Sequence, residues 1–202
     1  MTFRLPRAPG ATLILATTAL ALAVAPAAAH EATGTVGGLA SGFMHPILGW
    51  DHVAAMVAVG LLGAVLGAPA IYLLPIVFPL VMAGGGALGV MGVPLPGVEV
   101  GIAASALVLG LMVAAGRPIP LWVAAVVVAV FAVFHGHAHG TELPVAADAM
   151  AYGVGFVIGT GLLHLVGIVV GLAWKWNVGQ MLVRAAGGMI AVAGLAFLTG
   201  AA

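Results

Sequence analysis

Residues 120–142 read PLWVAAVVVAVFAVFHGHAHGTE, and this stretch decides the fold. From Leu121 to Phe134 every side chain is apolar, and the run then passes directly into three histidines and a glutamate. Entered at a proline and continued to His137, it has the length of a helix that crosses a bilayer, for which about 20 residues suffice. Charge is absent until Glu142.

The rest of the chain repeats the pattern. Apolar segments run from about Val36 to Leu66, Ile71 to Val93, Val98 to Ala115, Met150 to Trp174 and Gln180 to Leu198. Turn chemistry separates them at Gly67-Ala68-Pro69, Pro94 to Gly97, Gly116-Arg117-Pro118, Thr141 to Asp148 and Lys175-Trp176-Asn177. The expected fold class is therefore all-α, a polytopic membrane protein of six transmembrane helices. Composition agrees: of 202 residues, 64% are hydrophobic and 5% charged, where a soluble domain carries about 25% charged residues. A chain this short has too little interior to hide that much apolar surface from water.

Ahead of these spans, Arg4 and Arg7 precede an apolar stretch from Ala11 to Val24 and the small residues Ala27-Ala28-Ala29. This is the pattern of a cleavable signal peptide. Residues 1–29 are read as that signal and residues 30–202 as a single six-helix transmembrane domain, with the mature N-terminus outside; an uncleaved anchor is the alternative. That orientation puts Arg117 and Lys175 in cytoplasmic loops, in agreement with the positive-inside rule, and Glu31, Glu99, Glu142 and Asp148, which carry little weight in it, at the outer ends. The expected location is the bacterial cytoplasmic (inner) membrane.

Several function classes drop out. Net charge is zero, so nothing attracts nucleic acid. No phosphate-binding loop is present, because no glycine run is followed by Gly-Lys-Ser/Thr. Cysteine is absent, which leaves imidazole, carboxylate and thioether as metal ligands and favours nickel, cobalt, zinc, copper or iron over calcium or magnesium. Nothing points to a permanent cofactor, and the oligomeric state is left open.

Seven histidines remain, and ionisable groups within membrane spans usually mark function because they are costly to bury. In residues 134–142, FHGHAHGTE, His135 and His139 are four apart and share a helix face, and Glu142 continues it. His137 points elsewhere, a weaker candidate. In residues 45–52, HPILGWDH, His45 and His52 share a face but lie roughly 10 Å apart on a straight helix. A kink at Pro46 is the expected remedy. Asp51, about 100° round from His52, either ligates or orients a histidine. Met56 one turn on is read as packing, His164 as a mid-span residue deeper in the fifth span, and His30 as a weaker ligand at the new N-terminus. The expected metal set is thus His45, Asp51, His52, His135, His139, Glu142 and His164. They form a ladder: the span 4 residues capture an ion at the outer mouth, the span 1 residues hold it further in, and His164 receives it.

The two strings resemble those of the HupE/UreJ family. His45, Pro46, Gly49, Asp51 and His52 match its first motif; Phe134, His135, Gly136, Ala138, His139, Gly140 and Glu142 match its second. The resemblance covers essentially the whole mature chain. It implies a permease, not an enzyme, that takes up divalent nickel or cobalt in support of hydrogenase or urease maturation. Two other readings of the histidines stay open here, a membrane cytochrome with paired haem ligands and an intramembrane zinc hydrolase.

Overall fold

The computed structural model describes residues 34–143 and 148–201. The segment read as a signal, residues 1–29, and His30 and Glu31 lie outside them. The described residues are helical and contain no strand. The helices are α1 (Gly34–Leu48), α2 (Trp50–Leu66), α3 (Ala70–Val90), α4 (Val98–Ala115), α5 (Leu121–Thr141), α6 (Ala149–Gly171) and α7 (Asn177–Thr199), with a 3₁₀ turn over Leu172–Lys175.

Helices dominate because a backbone in lipid must satisfy its own N–H and C=O groups, and a helix does this within one segment. The expected turns end them. Gly116 closes α4 in the left-handed region at φ 59°, a conformation that glycine adopts without a Cβ penalty. The Asp148 side chain accepts a hydrogen bond from the Ala151 N–H and caps α6.

Five helices, α3 to α7, are long and apolar enough to cross a membrane. The first expected span is different. It is broken into α1 and α2, which meet at 81°, and the break falls at Gly49 while Pro46 stays inside α1. This corrects the expected kink position. Pro46 lies in the last turn of α1, where its ring packs against Gly159 of α6. The two pieces still follow one another along α6: Gly42 abuts the backbone at Tyr152 and Gly159 meets Pro46, whereas Gly60 abuts His164 and Gly167 meets Val57. Counted as one interrupted crossing, the pair brings the five spans to six.

The bundle is assembled from close pairs, α3 on α5, α1 on α6 and α4 on α7, around α2. Ala55, Met56, Ala58, Val59, Leu61 and Leu62 of α2 are all within 1% of complete burial, so α2 is the central helix and Met56 is core. The pairs close through glycine. A Cβ on Gly136 would strike the Met82 carbonyl, one on Gly140 the Gly86 carbonyl, and one on Gly89 the His137 carbonyl. Small residues let helix backbones approach in lipid, where no hydrophobic force drives them together. At Gly136 and Gly140, beside the histidines of α5, the neighbour is α3.

Candidate metal centre

Interruption at Gly49 creates the site. It turns the end of α1, carrying His45, toward the start of α2, carrying Asp51 and His52, and sets the two imidazole centroids 6.2 Å apart. The C-terminal turns of α5 supply the rest. His139 lies 4.6 Å from His45 and 4.7 Å from His52, and His135 lies 5.1 Å from His52, centroid to centroid. The two sets expected as successive rungs of a ladder are therefore one cluster of four histidines. Glu142, the exposed C-cap of α5, reaches it: its Oε2 is 3.4 Å from His45 Nε2. Ligand atoms of His45, His139 and Glu142 all lie within 4.8 Å of one another.

Hydrogen bonds set which nitrogens face inward. His52 Nδ1–H donates to Asp51 Oδ1 at 2.7 Å, and the His52 backbone N–H donates to the same oxygen at 2.8 Å. His135 Nδ1–H donates to the Phe131 carbonyl at 2.9 Å. A carboxylate and a carbonyl can only accept, so both rings carry their proton on Nδ1 and present a lone pair on Nε2. Those two Nε2 atoms, and both nitrogens of His139, are buried without a partner. Buried polar atoms normally have one. A histidine whose far nitrogen is tied to a carboxylate or carbonyl is the usual arrangement of a metal ligand. Asp51 thus orients His52, the second of the two roles its helix position allows. Gly49 makes room for this pair, since a Cβ there would lie 2.9 Å from His52 Nδ1 and 3.0 Å from Asp51 Oδ1.

The surrounding field suits a cation. α1 and α5 both end at the cluster, with His45 and His139 in their last turns, and helix C-termini carry partial negative charge. α2 begins there with the opposite sign, but Asp51 occupies its first turn. A cleft of about 510 Å³ beside the cluster is lined by Asp51, Glu99 and the end of α7 at Phe197–Gly200. All of these lie at the end of the bundle away from Arg117 and Trp174, which line a second cleft with Pro69 and Leu121.

Two expected residues stand apart. His137 Nε2–H donates to the Val93 carbonyl at 2.7 Å, tying α5 to the turn after α3. His164 is 1% exposed and lies beyond Phe78, whose ring it meets at 5.3 Å. Sequence reasoning missed the aromatic wall: the Phe156 ring lies tilted 4.0 Å from His139, Tyr152 lies 6.1 Å from His45, and Phe78 lies 5.4 Å from His135. Phe78 carried a signal, because it sits between two prolines in an otherwise regular span. Phe156 and Tyr152 carried none, being aromatics among apolar residues. Glu99 was legible only as an outer charge.

Fold and site together define a multi-pass helical membrane protein with a buried histidine cluster edged by carboxylates at one end. The chain belongs to the HupE/UreJ family, whose model, described as HupE / UreJ protein, matches residues 18–197. It is 45% identical over 185 residues to Protein HupE of Rhizobium leguminosarum bv. viciae, covering 91% of this chain and 97% of that protein. No solved structure matches it. The family is associated with hydrogenase and urease accessory roles and with nickel and cobalt transport.

Proposed function

We propose that the protein is a secondary permease that imports divalent nickel or cobalt across the bacterial cytoplasmic membrane, with the ion held by His45, His52, His135, His139 and Glu142. One observation carries the reading: four imidazoles from three helices converge, and three of them, His52, His135 and His139, hold buried nitrogens with no partner among the described residues, two with the opposite nitrogen anchored. A hydrated dication arriving at the outer end meets Asp51 and Glu99 first. It then exchanges water for imidazole nitrogens as it enters, and Glu142 offsets part of its charge.

No nucleotide motif supplies energy, so the gradient and the membrane potential drive uptake. The potential contributes about 2.3 kcal/mol per unit charge per 100 mV, and roughly twice that for a dication. A haem reading fits poorly, because the rings already touch and leave no flat slot for a macrocycle. Expressed in cells stripped of other nickel uptake, the chain is expected to raise accumulation of radioactive nickel, and His52→Ala or His139→Ala to abolish the rise. Equal accumulation by the wild type and both variants would sink the reading.

A further inference from the structure

His164 belongs to no part of the cluster, yet it has the same unusual state. Its ring is 1% exposed, and neither nitrogen makes a well-aligned hydrogen bond to the described residues. A neutral imidazole carries one donor and one acceptor, and leaving both unmet in a bilayer interior is unfavourable. The group beside it is also unusual. Because residue 79 of α3 is proline, the Pro75 carbonyl has no N–H one turn on to bond, and the His164 ring lies close enough to interact with that oxygen without forming a well-aligned hydrogen bond.

Phe78 stands between this pair and the cluster. It is fully buried, and its ring meets His135 at 5.4 Å on one side and His164 at 5.3 Å on the other. The segment that carries it lacks two helical hydrogen bonds, those that residues 75 and 79 would have donated. A helix so weakened bends at low cost.

We propose that His164 and the Pro75 carbonyl form a second, inner metal station, and that Phe78 on the Pro75–Pro79 segment is the gate that closes it from the outer cluster. This rests on the transport reading. An ion leaves His135, passes the aromatic ring when α3 flexes, and is received by one nitrogen and one oxygen. Two weak ligands suit a station an ion must also leave. Phe78 works as a dry constriction, so with the ring in place the outer cluster can load without leaking through.

The test uses the full chain, purified and reconstituted into lipid vesicles, with nickel as the probe. His164→Leu swaps an unpartnered polar ring for an apolar side chain, so a merely structural histidine would leave transport unchanged and stability equal or higher. The proposal expects His164→Leu to bind nickel at the outer cluster with wild-type affinity while uptake falls about tenfold or more. It expects Phe78→Ala to bind normally and to release preloaded nickel about tenfold faster, a barrier lowered at one point. Gel filtration and thermal melting check that each variant is folded; if Phe78→Ala is not, Phe78→Val makes the same test. Wild-type uptake by His164→Leu, loss of outer binding in that variant, or unchanged release from the folded Phe78 variant would each overturn it. Failure of the wild type itself to move nickel would instead defeat the transport reading, and this inference with it.

Discussion

His52 is held by two features of its own short stretch, the Asp51 carboxylate that accepts a hydrogen bond from its Nδ1–H and the Gly49 that leaves room for the pair. Each supports a prediction. Asp51→Asn preserves size but removes the charge that makes His52 a stronger ligand, and nickel affinity by equilibrium dialysis is expected to fall about 10- to 100-fold. Gly49→Ala is expected to act in the same direction by pushing the ring out of line, with His52→Ala as the reference for complete loss. His137 gives the contrast. His137→Leu removes the tie to Val93 and is expected to lower thermal stability by about 1 kcal/mol while nickel uptake is retained. At this scale the sequence pointed to the histidines that the fold brings together, because such residues in a chain with 5% charged residues have few other reasons to exist. It was silent on Phe156 and Tyr152, whose role depends on which helix lies opposite.

At the scale of elements, the spans were readable from hydropathy to within a few residues, as in Val98–Ala115. The break at Gly49 was not, since proline draws attention to Pro46 and nothing local marks Gly49 as the bend. That single misplacement separated the two motifs into rungs, whereas the bend of 81° gathers them into one site. The close pair α3 and α5 supports a prediction of its own. Gly136→Ala places a methyl against the Met82 carbonyl, while a Cβ at Gly84 has nothing within 4 Å. Gly136→Ala is expected to cost about 1–3 kcal/mol and to impair nickel binding through the displaced His135 and His139. Gly84→Ala should be neutral in the same thermal melt, and equal melting of the two would refute the packing argument.

For the whole molecule, the consequential feature is the separation of charge between the two ends. Asp51, Glu99 and Glu142 lie with the histidine cluster, and Arg117 and Lys175 at the opposite turns. If basic turns face the cytoplasm, the cluster opens outward and the potential draws a cation in. The absence of native cysteine makes this testable. In intact cells, Met91→Cys in the turn after α3 should react with a membrane-impermeant maleimide, and Pro118→Cys in the turn after α4 only after permeabilisation. The reverse pattern would place the cluster at the cytoplasmic face and contradict its reading as the outer mouth.

The central claim is that several imidazoles bind one ion, and X-ray absorption at the nickel edge of the purified, nickel-loaded protein tests it most directly. The account predicts nitrogen and oxygen scatterers at about 2.0–2.1 Å, no sulfur, and the outer-shell scattering of at least three histidine rings, which His52→Ala and His139→Ala each reduce. A spectrum without imidazole scattering, or one unchanged in both variants, would contradict it.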